Sequence, residues 1–148
     1  MLKPQFIYTC TAVIIFLLIF ISYSNAENDI KNNLMKYYEK GQTTELESMN
    51  TEGVNAFIKD IVFSNDPDSP ITCGLFRMEK GKSLQYNYTY DEAKIILEGE
   101  MTISEEGGDT VEAKAGDILY IGKGAKMTFS SNSYGLEFYC GQRAAEAL

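Results

Sequence analysis

The length and charge of this chain limit what it can be and what it can bind. It has 148 residues, which suits a single domain, and carries 13 Lys and Arg against 21 Asp and Glu. The formal net charge is −8, and histidine is absent from the sequence. A surface this acidic repels phosphate backbones and anionic membrane surfaces. Nucleic acid is therefore not expected as a partner.

Residues 1–26 are typical of a secretory signal peptide. Lys3 provides a small positive region, residues 6–21 are almost wholly apolar, and Ser24 and Ala26 occupy the small-residue positions of a cleavage site. The alternative is an uncleaved membrane anchor over residues 6–23, because this run approaches the roughly 20 residues of a membrane span. We therefore expect a secreted or periplasmic protein, with no membrane contact unless this segment is retained.

Residues 27–70 are predicted to form an N-terminal extension to the main domain. Helical spacing of apolar residues predicts a helix at Asp29–Lys40, with Gly41 as its stop signal. Alternation in Asn55–Phe63 predicts an outer strand. The two prolines in Asp66–Pro70 then indicate a loop, since proline fixes φ and removes a backbone donor.

Residues 71–148 are predicted to form an all-β barrel. Short apolar runs alternate with turn signals at about ten-residue spacing, which indicates a jelly roll or a small barrel. A short helix or a frayed end is expected at Gln142–Leu148. The predicted strands are Ile71–Glu79, Ser83–Tyr90, Ala93–Leu97, Glu100–Ser104, Thr110–Ala113, Asp117–Ile121, Met127–Ser130 and Leu136–Cys140.

The stretch from Gly116 to Met127 has the form strand, tight turn, strand. Gly116, Gly122 and Gly124 are predicted to mark places where the chain needs a positive φ or a close backbone approach.

Two blocks of this sequence resemble the paired motifs of the cupin superfamily. In the first, Glu92 is followed by Gly99 with the cupin spacing, and the His-x-His positions fall on Tyr86 and Tyr88, or on Gln85 and Asn87 if the longer of the two motif spacings applies. In the second, Gly116 and Gly124 keep the spacing, with Gly122 for proline, Met127 for histidine and Ser131 for asparagine. The resemblance implies a double-stranded β-helix, or jelly-roll barrel, with a short N-terminal helical extension.

The resemblance is closest to the EutQ-type cupins of ethanolamine utilisation, and it covers Ile71 to Arg143. Metal-binding cupins hold a divalent ion with histidines and a glutamate, and of that set only Glu92 is present here. One carboxylate with tyrosines and a thioether is a poor ligand set for such an ion. We therefore expect no metal and no other cofactor. A kinase-type activity has been attached to EutQ proteins, but no motif here would position ATP and magnesium.

A candidate pocket follows from the alternation of side chains along a strand. Tyr86, Tyr88 and Tyr90 share one face and, with Glu92, would converge on a ligand if that face lines the barrel. Met127 and Phe129 would form an apolar wall. In a dry pocket, Glu92 would act as general acid or base and Tyr88 would polarise a carbonyl. The alternative is that the tyrosines are core residues and that Glu92 pairs with Lys94 or a backbone group.

Cys73 and Cys140 are the two cysteines of the predicted barrel, in its first and last strands. In an oxidising compartment they could form a disulfide, worth roughly 4 kcal/mol by its loop length. The alternative is a pair of buried thiols that only pack.

Two hypotheses on function follow from these observations. The first is a secreted, metal-free cupin that binds a small organic molecule, with acid/base chemistry of the isomerase or lyase type. The second is a non-catalytic structural or interaction module. A homodimer is expected, because cupins commonly dimerise through sheet edges or faces.

Overall fold

A computed structural model of the chain describes residues 35–64 and 66–145. In this part of the chain the regular structure is β, apart from one 3-10 turn at Gly41–Thr43. The strands in chain order are β1 (Glu47–Ser48), β2 (Ala56–Phe63), β3 (Thr72–Glu79), β4 (Leu84–Asn87), β5 (Glu92–Glu105), β6 (Thr110–Lys114), β7 (Ile118–Ile121), β8 (Lys126–Ser130) and β9 (Tyr134–Gly141).

The strands form two antiparallel sheets that share the long strand β5. The first sheet has the order β1-β2-β3-β9-β5-β7, and the second has the order β4-β8-β5-β6. Because β5 belongs to both sheets, the surface curls into the jelly-roll barrel that the sequence predicts. β2 pairs with β3 over most of its length, so this strand belongs to the first sheet.

The core of the barrel comes from alternate side chains of both sheets. Strand residues point in turn to the two faces of a sheet, and in β8 and most of β5 every second residue is buried. The fully buried inward side chains include Met78, Ile96, Met101 and Ile103, with exposed fractions of 2% or less. Glu137 and Tyr139 are equally buried, which places polar atoms inside an otherwise apolar barrel.

The predicted β pattern is confirmed, with one correction in its middle. The predicted strands Ala93–Leu97 and Glu100–Ser104 are parts of one strand, β5. Gly99, which suggests a break in the sequence, instead has a φ of 67° inside the strand. A Cβ there would lie 2.1 Å from the carbonyl oxygen of Tyr134, so glycine lets the backbones of β5 and β9 approach closely.

The structure shows no helix in the described part of either end, and at the C-terminus a frayed end was the alternative that the sequence left open. Most of the predicted helix at Asp29–Lys40 lies outside the described residues, and 35–40 contains no helix. Residues 142–145 are also non-helical, and 146–148 lie outside the described part. The helical spacing of Leu34 and Tyr38 is a weak signal, because a short isolated helix is marginal without tertiary contacts.

The strand, tight turn and strand predicted around Gly116 are present as β7 and β8, but the two strands do not pair with each other: β7 pairs with β5 in the first sheet, and β8 pairs with β4 and β5 in the second. Gly116 and Gly124 both have a φ of 98°, a conformation that favours glycine. Position 122 does not require glycine, because an added Cβ would contact only the Tyr120 side chain, at 3.8 Å. The prediction is therefore right for two of these three glycines.

Candidate functional site

One continuous row of inward side chains runs from β4 into β5. Tyr86 is half-buried, and Tyr88, Tyr90, Glu92 and Lys94 are buried with exposed fractions of 4–7%. These residues alternate with outward Asn87, Thr89, Asp91 and Ala93. The structure therefore places the predicted tyrosine row and Glu92 on the inside of the barrel, and it adds Lys94 to the same face.

Lys94 is the centre of a buried charge cluster. Its Nζ lies 2.9 Å from a carboxylate oxygen of Glu92, and it donates a short hydrogen bond to Glu137 from the opposing strand β9. Three aromatic rings surround the ammonium, at 5.3 to 5.6 Å from ring centroid to Nζ, within the range of cation–π attraction. These rings belong to Phe76, Phe129 and Tyr139. The pairing of Glu92 with Lys94 is the alternative that the sequence left open.

Burial and charge compete in setting the pKa values of this cluster. Burial by itself lowers the pKa of Lys94, but the carboxylates of Glu137 and Glu92 outweigh it and hold that pKa well above its usual value. Burial raises the pKa of Glu137, and Lys94 offsets only part of that rise. One oxygen of Glu137 is buried without a hydrogen-bond partner among the described residues. Lys94 is therefore a fixed cation, and Glu137 has a tendency to bind a proton.

The three tyrosines pack edge to face along the barrel wall. Their ring centroids are 4.9 Å apart for Tyr86 and Tyr88 and 5.7 Å apart for Tyr88 and Tyr90. The hydroxyls of Tyr86 and Tyr90 are 3.1 Å apart and share a hydrogen bond, while the Tyr88 hydroxyl bonds to Glu92. Burial raises the pKa of Tyr88 and of Tyr90, so both phenols stay protonated. They are therefore hydrogen-bond donors, not bases.

A second polar cluster closes one end of the barrel. The Arg143 guanidinium makes two hydrogen bonds to the Asp60 carboxylate, at 3.0 and 2.7 Å, and the Tyr139 hydroxyl donates to the same carboxylate. Thr72 donates to the carbonyl oxygen of Arg143, at 2.8 Å. This bidentate pair ties the end of β9 to β2 and stabilises the C-terminal part of the barrel.

The space left inside the barrel is small. A cavity of about 30 Å3 lies against the tyrosine row and the charge cluster. Pockets for small organic ligands usually measure about 300–1,000 Å3, whereas this volume suits one or two water molecules. The residues that line the cavity are Met49, Ile58, Phe76, Leu84, Tyr86, Tyr88, Tyr90, Glu92, Lys94, Phe129 and Tyr139.

The structure brings most of the predicted site residues together. Tyr86, Tyr88, Tyr90, Glu92 and Phe129 all line the cavity. Met127 is buried in the core opposite Tyr86 in the register of β4 and β8, but it is not part of the cavity lining.

Sequence reasoning missed Glu137, Asp60 and Arg143, and it treated Lys94 only as a partner for Glu92. A signal existed for Lys94, because the period-two pattern of the tyrosine row passes through positions 92 and 94. Glu137 also lies between two apolar residues in its strand, Leu136 and Phe138.

The cupin metal positions do not fit a metal in this chain. Tyr86, Tyr88 and Met127 supply only two phenols and one thioether, and the carboxylate of Glu92 is already held by Lys94. Within 35–64 and 66–145, no cluster of three or more His, Cys, Asp or Glu residues could hold a metal ion. We therefore derive no chemistry through a metal at these positions.

Cys73 and Cys140 are directly opposite each other in β3 and β9, and the structure joins them by a disulfide bond. Their side chains point outward, because their neighbours Gly74 and Tyr139 face the interior. The bond therefore lies on the outer face of the first sheet, behind the buried clusters.

The barrel and its motif spacing define a cupin in which tyrosines and a methionine stand at the histidine positions. The family model of the ethanolamine utilisation protein EutQ matches residues 26–145. This chain belongs to the EutQ family, as the motifs predict.

The curated relatives of this chain are longer proteins. The Escherichia coli protein named acetate kinase EutQ is 34% identical over 76 residues, which cover 51% of this chain and 31% of the relative. The match thus spans less than a third of that relative.

Solved structures support the same fold. A EutQ structure from Salmonella typhimurium is 26% identical, with a TM-score of 0.59, and the match covers 71% of this chain and 84% of the other. The polyketide cyclase RemF from Streptomyces resistomycificus also has a TM-score of 0.59, over 72% and 79% of the two chains. Its identity is 16%, so it shows the fold alone. Some cupin neighbours are therefore enzymes.

The expected secreted or periplasmic location, with an anchor at residues 6–23 as alternative, is contradicted by the family. The matching family is that of the ethanolamine utilisation protein EutQ, and the curated relatives are named acetate kinase EutQ; neither name describes an exported or membrane-anchored protein. An apolar run indicates hydrophobicity but does not by itself establish export. Residues 1–25 lie outside both the family match and the described residues. Among the described residues, no helix is long and apolar enough to span a membrane.

Proposed function

We propose that this chain is a non-catalytic EutQ-type cupin that works as a dimeric interaction module. The observation that carries this proposal is the filled barrel: the Lys94 cluster and its aromatic rings occupy the position of a ligand and leave about 30 Å3. The charge of Lys94 is already neutralised by two carboxylates, so this ammonium is a poor partner for an anionic substrate. Function is then expected on the outside of the barrel.

The outer surface offers one exposed apolar strand. Ile118 and Tyr120 on β7 point outward, with exposed fractions of 76% and 71%. β7 pairs with β5 on one side, and no strand in the described part of the chain pairs with its other side. Such an edge presents unpaired N–H and C=O groups, which recruit another strand. We call Ile118–Ile121 the β7 edge.

A second copy of this chain is the partner that fits the β7 edge. Antiparallel pairing of one edge with itself is consistent with two-fold symmetry, so each copy satisfies the other. Ile118 and Tyr120 carry no charge, which matters because two copies of a chain with net charge −8 repel each other elsewhere.

Analytical ultracentrifugation of wild-type protein and Ile118→Lys tests this proposal. We expect a dimer for the wild type and a monomer for the variant, because lysine on an edge strand opposes edge-to-edge pairing. Val111→Lys is the matched control, since Val111 is also an exposed apolar strand residue, 43% exposed, but lies on β6. A wild-type monomer at every concentration, or an Ile118→Lys dimer as stable as the wild type, would exclude this surface.

A second candidate function is acid/base chemistry on a small ligand, with Glu92 as acid or base and Tyr88 as hydrogen-bond donor. It is favoured by the convergence of Tyr86, Tyr90 and Phe129 on the same cavity as Glu92. A ligand enters only if these side chains move apart. Acetate and ATP are the first compounds to test, since they follow from the name of the relatives.

A thermal-shift screen separates the two candidates. For the second candidate, a compound must raise the melting temperature of the wild type and not that of Glu92→Gln. Glu79→Gln on the outer surface is the control. Equal shifts in wild type and Glu92→Gln would remove Glu92 from the site, and no shift with any compound favours the interaction module.

A further inference from the structure

The outer face of the first sheet carries a row of four side chains, of which only Tyr120 also belongs to the β7 edge. In the strand register, Cys73 lies opposite Cys140, Cys140 opposite Ala93, and Ala93 opposite Tyr120. Neighbouring strands are roughly 4.8 Å apart, so the row crosses four strands in a nearly straight line. We call these four residues the cysteine row.

A cleft of about 460 Å3 opens over one half of this row. Cys140, Ala93 and Tyr120 line it, together with Ile71 and Asp91. Cys140 is half-buried and Ala93 is exposed, whereas Cys73 is only 7% exposed. The disulfide is therefore open to the cleft on the Cys140 side and covered on the Cys73 side.

The direction of approach follows from the chemistry of disulfides. A thiolate attacks one sulfur from the side opposite the sulfur that leaves, and the rate depends on access to that line. When the thiolate attacks the sulfur of Cys140 and Cys73 is the leaving group, the thiolate must approach from the side away from β3. This line of approach passes over Ala93. Ala93 has a small side chain, so this path is open, with the Tyr120 ring as the far wall of the cleft.

We propose that Cys140 is a thiol–disulfide exchange site whose substrate is a small thiol without negative charge. The incoming thiolate forms a mixed disulfide with Cys140, and Cys73 leaves as a thiolate that takes a proton from water. A second thiol molecule then attacks the sulfur of the first, which releases the Cys140 thiolate and a small-molecule disulfide. Two thiols thus supply the two electrons, and β3 and β9 lose their covalent link.

The proposed preference for a thiol without negative charge is due to Asp91. Its carboxylate lies at the cleft, where it accepts a hydrogen bond from the Tyr120 hydroxyl and one from the backbone N–H of Lys123, at 2.8 Å. The other acidic residue of the cleft, Glu92, points inward to Lys94. An anionic thiol therefore meets an unfavourable field at the entrance, and a neutral or cationic thiol does not.

Reduction kinetics of the purified full chain test the charge preference. Cysteamine, 2-mercaptoethanol and thioglycolate serve as cationic, neutral and anionic probes, with rates compared at equal thiolate concentration. We expect thioglycolate to be slower than the other two by at least about threefold, and this difference to shrink in Asp91→Asn. Equal rates for the three probes would overturn the charge preference.

A pair of variants tests the line of approach. Ala93→Phe fills the path, and we expect it to slow reduction by about tenfold. Ile95→Phe is the matched control, because position 95 is on the same outward face of β5 but opposite Phe138 instead of Cys140. Ala93→Val gives a smaller block for use if Ala93→Phe does not fold. Equal rates for wild type and the Ala93 variants, or two free thiols in unreduced protein, would overturn the proposal.

Discussion

Lys94 donates a hydrogen bond to Glu137 across β5 and β9, and both side chains are almost completely removed from water. Glu92 lies on the other side of the same ammonium, at 2.9 Å. One cation therefore holds two carboxylates inside the barrel. Charges so deep are tolerated only when they are paired, so each of the three residues depends on the other two. The same arrangement fills the space that a ligand would need.

Replacing Lys94 by methionine should destabilise the protein strongly. The change keeps the apolar stem but leaves Glu92 and Glu137 buried without a cation, which costs about 3–5 kcal/mol. Urea denaturation at neutral pH measures this loss. The cost should shrink in acid, because the Glu137 carboxylate, whose pKa is raised by burial, can then take up a proton. Lys126→Met is the control, since Lys126 pairs with Glu106 at the exposed surface, and its loss should change the stability much less. Equal costs for the two variants would contradict a charge cluster that carries stability.

Replacing Glu137 by glutamine should change how stability depends on pH. The pKa of Glu137 is raised above 4.5 by burial, so the folded state binds its proton more tightly than the unfolded state does. Its contribution to stability is therefore fully present below about pH 4.5 and is lost as the pH rises through the folded pKa. Glutamine does not titrate, so the Glu137→Gln variant does not lose this contribution. Its stability should therefore rise relative to that of the wild type as the pH increases from about 4.5 through the folded pKa of Glu137. A constant difference in the free energy of unfolding from about pH 4 to pH 8 would contradict the raised pKa.

Replacing Arg143 by methionine should loosen the end of the barrel. The guanidinium is 5% exposed and makes two hydrogen bonds to Asp60, so its loss removes two charge-assisted bonds from a buried carboxylate. We expect a loss of about 3 kcal/mol in urea denaturation. Hydrogen exchange should show the loss first in β2 and the end of β9, which the pair joins. Unchanged exchange in those strands would mean that the pair does not hold them together.

Replacing Gly74 by alanine should disrupt the pairing of β2 with β3. An added Cβ would lie 2.1 Å from the carbonyl oxygen of Lys59 and 2.6 Å from the Tyr139 hydroxyl. Neither atom can move without breaking the sheet or the Asp60 cluster, so we expect a loss of about 3 kcal/mol or more in thermal or urea unfolding. Gly122→Ala is the control, because its nearest neighbour would be a ring atom at 3.8 Å and no positive φ is involved. A neutral Gly74→Ala would show that β2 and β3 are not in close register there.

The sequence alone predicts the barrel and much of the inner face. Short alternating runs between turn residues permit little else than an antiparallel β fold, and the motif spacing around Gly116 and Gly124 indicates the cupin type. The period-two pattern from Tyr86 to Glu92 is also a local property, so the inward face of that row is predictable. The strand break predicted at Gly99 is wrong. Glycine can either end a strand or let another backbone approach closely, and the local sequence does not distinguish these two roles.

Tertiary structure decides which side chains the inward row from Tyr86 to Lys94 contacts. Glu137 is 43 residues after Lys94 in the chain, and Arg143 is 83 residues after Asp60, so these pairs arise only when β5 meets β9 and β9 approaches β2. The amount of space left in the barrel depends on how all the inward side chains pack together, which no single strand specifies. Alternation in the sequence thus fixes which way Glu92 and its tyrosines point. Long-range pairing decides that Lys94 meets them there and that the barrel they line is nearly full.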